Sequence, residues 1–274
     1  MSAEPADRLA ESLLAFWAEA GVDALLLDEP FDRIEAGRIQ PPRPVERKPA
    51  SVTAHPAART ASSANDEAAV EQARTLAAGA PDLSALREVI EAFDGCTLKF
   101  EGATRSVFYR GRDDAPLMVI GEGPGAEEDA RGEPFVGRAG QLLDRMLEAA
   151  GLKDRVFITN SVFWRPPGNR NPTPQEQAVC APFLERAIAL VQPRMLLLVG
   201  APSTKAMLKR DEGILSLRGR WFDWKSADGQ FECPAMPTLH PAFLLRQPAA
   251  KKKAWSDLIT LTERLDRPQR PSEA

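Results

Sequence analysis

The sequence predicts an α/β protein, a three-layer α/β/α sandwich around a central, mainly parallel, four-stranded sheet. Short apolar, partly β-branched runs recur at residues 116–121, 155–160, 194–200 and 234–239, while patterns of helical period occupy 138–150, 174–191, 203–209 and 249–265. Strands buried on both faces read as continuous apolar runs, and a helix between consecutive strands returns the chain so that the strands run parallel beneath helical layers. The first run empties into a glycine-rich turn, Gly121-Glu-Gly-Pro-Gly125, at the sheet edge where open α/β folds bind ligands.

In chain order, Leu9, Leu13, Leu14, Phe16, Trp17, Ala20 and Val22 recur near helical spacing and predict an amphipathic helix over 7–26, within an N-terminal segment 1–35. Residues 36–67 have the Pro, Ala and Ser composition of a disordered linker. Helical pattern returns from Asp66 to Ala78 and again at 83–93, opening a catalytic domain over 68–268 that is followed by a disordered tail, 269–274. Thr173-Pro-Gln-Glu176 has the makings of a capping box with proline at the first helical position. Asp228-Gly229, between Trp221–Trp224 and Phe231, predicts a hairpin projecting before the last strand.

The chain of 274 residues, 43% hydrophobic, can bury a full core. Its N-terminus has neither a basic nor an apolar signal region and no run reaches the length of a membrane span, so a soluble, cytoplasmic protein is expected. Three well-separated cysteines do not make a disulfide framework. The net charge of −4 argues against a polyanionic partner only until it is mapped: residues 1–90 carry nine basic and fifteen acidic residues, residues 91–274 twenty-six and twenty-four. Arg165, Arg170, Arg246 and Lys251–Lys253 gather around the later motifs, where phosphate contacts would be made.

The glycine turn fits neither a dinucleotide fingerprint nor a P-loop: it lacks the Gly-Lys-Ser/Thr ending, and Pro124 removes an amide that a phosphate cradle would use. Glu122, Glu127, Glu128 and Asp129 would also repel phosphate. The last three suit the start of a helix. Glu122 lies inside the turn, where a carboxylate serves a reaction that develops positive charge or needs an oriented water, as glycosidic cleavage does. His240 ends the last strand at the same edge, and Asn160 ends the second. Each has a plainer reading, a structural histidine or a turn-forming asparagine.

Gly121-Glu-Gly-Pro-Gly125, with Gly132-Glu-Pro-Phe-Val-Gly-Arg-Ala-Gly-Gln-Leu-Leu-Asp-Arg-Met146, resembles the first motif of family 4 uracil-DNA glycosylases. Ile158-Thr-Asn160, Arg165-Pro-Pro-Gly-Asn-Arg-Asn-Pro172 and Leu239-His-Pro-Ala-Phe-Leu-Leu-Arg246 resemble its later motifs in the same order, over residues 91–265. The resemblance implies a monofunctional enzyme that flips deoxyuridine out of single- or double-stranded DNA and hydrolyses the bond between base and sugar. It implies a histidine, His240, at the uracil O2, an asparagine, Asn160, on the uracil edge, Phe135 as the stacking ring, and Gly121 and Gly123 against the base. Glu122 is the candidate for orienting water, Arg165 and Arg170 for DNA contact, and Leu244, Leu245 and Arg246 for the loop that wedges into the duplex. Other superfamily substrates, or retention of uracil DNA without turnover, are the competing readings. A monomer is expected, with the N-terminal helix as the candidate surface for a protein partner.

Family 4 enzymes hold a 4Fe-4S cluster on four cysteines. Here the corresponding positions are Phe93, Cys96, Trp164 and Cys180, so two ligands are missing and no cluster or other metal is expected. Two large aromatic side chains in those places suggest a packed substitute. Whether Cys96 and Cys180 pair is not legible in the sequence.

Overall fold

The computed structural model describes residues 56–267; the helix expected over 7–26 and the tail lie outside them. Two helices come first, α1 (Pro56–Gly79) and α2 (Leu83–Ala92), the latter capped by the Asp82 carboxylate, which accepts the Ala85 N–H at 2.8 Å. Backbone from Pro56 onward is helical, so the helix begins inside the stretch that its composition assigned to a linker. There follow β1 (Tyr109–Gly111), β2 (Leu117–Gly121), α3 (Ala126–Arg131), α4 (Arg138–Ala149), β3 (Val156–Asn160) and α5 (Pro174–Val191). The chain continues through β4 (Met195–Val199), α6 (Ala201–Leu208), α7 (Ile214–Leu217), β5 (Phe222–Lys225), β6 (Glu232–Thr238), α8 (Pro241–Arg246) and α9 (Lys251–Asp266).

The sheet has six strands rather than four, in the order β1-β3-β2-β4-β6-β5. The four expected strands are its parallel centre, and two short antiparallel strands complete the edges. An edge strand is solvated on one side and shows no apolar run, so β1, Tyr-Arg-Gly, escaped the sequence, and β5, Phe-Asp-Trp-Lys, was expected only as an arm of the hairpin. The expected hairpin is β5–β6, paired into the sheet rather than projecting from it.

Strand alternation sorts the core into two layers. Met118, Ile120, Phe157, Leu196, Leu198 and Ala235 face α1, α2 and α5, while Leu117, Val119, Val156, Ile158, Leu197 and Met236 face α4 and α9. Each leucine removed from water in these layers contributes on the order of 1.5–3 kcal/mol. The capping box at α5 forms as its sequence dictates: Glu176 N–H donates to Thr173 Oγ1 at 3.2 Å and Thr173 N–H to a Glu176 carboxylate oxygen at 2.7 Å.

Register decides where a site lies. Gly121 stands opposite Asn160, and Val199 opposite Thr238, so the central strands end level with one another. The chain leaves β2 toward β3 on one side and returns to β4 on the other. That reversal opens a crevice at the carboxyl ends of the strands.

Candidate functional site

A cavity of about 780 Å³ occupies this crevice, walled by the loops that follow the four central strands. Glu122 and Gly123 enter it from β2, Asn160 from β3, Gly200 from β4 and His240 from β6, with Phe135 beside them. Gly121 lies beneath, and its lack of a side chain is a packing requirement: a Cβ there would stand 2.4 Å from both the Phe135 ring and Asn160 Oδ1. Two groups far apart in sequence are thereby brought together on one glycine.

Phe135 is buried in left-handed backbone, φ 56°, a conformation that costs an L-residue about 1–2 kcal/mol. Neighbours hold it there. Arg110 donates from Nε to Pro134 O (2.8 Å) and from Nη2 to Phe135 O (3.2 Å), and pairs with Asp144 at 2.6 Å. The Glu128 carboxylate accepts the N–H groups of Gly125, Val136 and Gly137 at 2.9–3.1 Å, joining the glycine turn to the Phe135 loop. The sequence reading gave Glu128 only a helix-start role and overlooked Arg110, since nothing local marks a side chain whose partners are carbonyls more than twenty residues away.

Glu122 is half-buried, and burial raises its carboxyl above the ordinary range. Ser161 fixes its backbone, donating from Oγ to Glu122 O at 2.6 Å. His240 is ringed by protein, its ring centroid 5.8 Å from that of Phe135. Burial, with Arg246 adding repulsion, lowers it to about 4, so the imidazole is neutral near pH 7. Its Nδ1 accepts the Ala242 N–H at 3.2 Å, which leaves the proton on Nε2. Gly200, at φ 94°, lies against it; a Cβ there would be 3.1 Å from His240 Cβ. Asn160, 2% exposed, offers the cavity both an acceptor and a donor. The arrangement presents a face, an amide and a fixed N–H to a planar heterocycle, with a carboxylate alongside.

The outer residues divide. Arg246 lines the cavity mouth and is exposed. Arg170 also lines it, but its guanidinium is bidentate on Glu176, at 2.6 and 2.9 Å, and reaches Glu101 at 3.5 Å. Burial alone would raise Glu176; the Arg170 bonds and the Thr173 amide hold it below the usual range. Arg165 donates to Asn169 Oδ1 at 2.7 Å, bracing the same loop from outside the cavity wall. Leu244 departs from its expected wedge position: it is fully buried with Leu142, Leu239 and Ala254, and Leu245 packs on that cluster. A helix following His240 turns one leucine face inward, an outcome the motif alone does not reveal.

The four positions aligned with cluster ligands do converge. Phe93, Cys96, Trp164 and Cys180 are all buried, with the Phe93 and Trp164 ring centroids 6.5 Å apart and Phe93 edge-on to Phe183 at 5.0 Å. Cys96 and Cys180 are both free, buried thiols, and burial pushes Cys180 well up. Two thiols, a phenyl ring and an indole do not fit an iron-sulfur cubane, which needs four thiolates. Cys233 lies elsewhere, on β6 opposite Trp224.

An open α/β sheet whose carboxyl edge holds a carboxylate, a neutral imidazole, an amide and an aromatic ring is the architecture of an α/β enzyme with its site at the strand ends. Residues 108–259 match the model of the uracil DNA glycosylase superfamily, and the chain belongs to that family. It is similar to the type-4 uracil-DNA glycosylase of Sulfurisphaera tokodaii, 36% identical over 194 residues, 69% of this chain and 87% of that protein. It is similar also to the type-4 enzymes of Pyrobaculum aerophilum, 38% identical over 65% of this chain and 91% of the relative, and Thermotoga maritima, 40% over 52% and 73%.

Proposed function

We infer that this chain is a uracil-DNA glycosylase of base excision repair, which flips deoxyuridine out of DNA, hydrolyses its N-glycosidic bond and leaves an abasic site. The observation that carries the reading is the convergence of Phe135, Asn160, His240 and Glu122 on one cavity, in a chain of this family. Phe135 takes the face of the flipped base and Asn160 its polar edge. As the C1′–N1 bond breaks, the electron pair passes to the base and charge develops at O2, where the neutral Nε2–H of His240 donates. A fixed donor of this kind acts on the transition state more than on the ground state. Glu122 stabilises the sugar cation and orients the water that adds to C1′. The cavity wall contains no lysine among the described residues to form an imine with the sugar, which suits hydrolysis without strand cleavage.

The enzyme acts without an iron-sulfur cluster. What supports this is the donor set: the aromatic rings of Phe93 and Trp164 take the volume that two thiolates would use. Purified protein is expected to contain no stoichiometric iron; a coloured protein with four irons per chain would overturn this part. We further propose a cytoplasmic monomer whose N-terminal segment meets a repair partner. Among the described residues no helix is long and apolar enough to cross a membrane.

Single-turnover excision on oligonucleotides carrying U·A, U·G, T·G or hypoxanthine, in EDTA, with alkali added afterwards to reveal abasic sites, tests the reading. Cleavage confined to the uracil strands is expected. Cleavage of T·G or hypoxanthine instead would shift the substrate, and selective binding of uracil DNA without cleavage would leave a damage-binding protein.

A further inference from the structure

Leu215 stands in water at the cavity mouth. It is 63% exposed and contributes to the cavity wall together with its neighbour Ile214. A lone exposed leucine is ordinary. This one is held in place. Gly219, just past α7, donates its N–H to Pro237 O at 2.9 Å, and Arg218 forms an ion pair with Asp257. Asp257, 2% exposed, also accepts the Thr238 hydroxyl at 2.7 Å, which ties α7 to α9 and to the end of β6, two residues before His240. Ile214 packs on the same apolar cluster as Phe243, Leu244 and Leu245, so α7 and α8 share one footing beside the cavity.

Of the two leucines that the motif would place in the duplex, Leu244 is spent inside that cluster and Leu245 is packed against it. A nucleotide turned out of a duplex leaves an unstacked gap, and an apolar side chain that enters such a gap recovers contacts and obstructs the return of the base. Leu215 has the position, the exposure and the rigid support for this, and the cationic Arg246 on the same rim favours a polyanion over a second protein surface. We propose that Leu215 is the side chain that enters the base stack of duplex substrate when the uracil is extruded. The proposal rests on the glycosylase reading above.

The test compares the full chain with Leu215→Ala and Leu215→Met, using one uracil oligonucleotide either single-stranded or annealed opposite adenine, with enzyme in excess. A single strand has no stack to open. Leu215→Ala is therefore expected to raise the ratio of single-strand to duplex excision rate about tenfold, and to reduce the fluorescence rise of a 2-aminopurine placed beside the uracil in the duplex. Leu215→Met, which keeps an apolar prong, is expected to restore both. An unchanged ratio, whether both rates fall together or neither falls, overturns the proposal. Wild-type protein that releases uracil from neither substrate overturns the glycosylase reading, and this inference with it.

Discussion

At the scale of single residues, the site sets two titrations against each other. Burial raises Glu122 above the ordinary carboxyl range and lowers His240 to about 4, so the imidazole is neutral near pH 7. With the carboxylate as the working form, activity falls as pH drops through the raised Glu122 pKa, above the ordinary value of about 4.3. A pH profile of single-turnover rates checks this, and Glu122→Gln should abolish that acid limb along with most of the rate. The same shift has a stability consequence of definite sign. A carboxyl whose pKa is raised on folding binds its proton more tightly in the folded state, so its penalty is absent at low pH and fully present above the folded pKa. Glu122→Gln is therefore expected to raise Tm at neutral pH and to leave it unchanged near pH 3; a lowered Tm at neutral pH would contradict the burial argument. Asn160→Asp removes the amide donor and places a negative charge in a buried pocket, and should cut uracil excision by about a hundredfold or more in single-turnover assays.

At the scale of elements, the turn after β2 and the loop that carries Phe135 work as one unit. Gly121→Ala would drive a methyl group into the Phe135 ring and Asn160. Overpacking of this kind costs about 1–3 kcal/mol, and here the displaced atoms are those proposed to hold the base. Activity should thus fall by far more than the folded fraction measured by thermal unfolding. Arg110 and Glu128 hold the same loop by its carbonyls and amides, which places the Phe135 ring under the control of an edge strand and a short helix. The aromatic core is an element of the opposite sheet face. Trp164→Ala, in a fully enclosed position, should cost about 3–5 kcal/mol by denaturant unfolding, as expected of rings that bear the packing themselves.

For the whole molecule, charge placement matters more than net charge. A chain with net −4 can associate with a polyanion only through a local basic surface, and Arg246 at the cavity mouth is exposed while Arg170 is committed to Glu176 and Glu101. Arg246→Ala should lower the slope of log affinity against log salt by about one phosphate contact. Arg170→Ala should leave that slope unchanged while lowering Tm, because it strips the partner from a buried Glu176. Binding of a non-hydrolysable uracil analogue across a salt series separates the two.

The sequence by itself determined the four parallel strands, the helices between them and the capping box at α5, and it singled out Glu122, Phe135, Asn160 and His240, which the fold brings to one cavity, because apolar period, capping residues and ordered motifs are local signals. The resemblance to family 4 motifs places Phe93 and Trp164 where that family has two of its four cysteines. Only the tertiary structure decided that Leu244 faces inward and Leu215 outward, that Arg170 is engaged, that the sheet gains β1 and β5, and that Arg110 and Glu128 fix the Phe135 loop. These depend on which faces the packed layers cover and on bonds to distant backbone groups. A linear pattern carries neither.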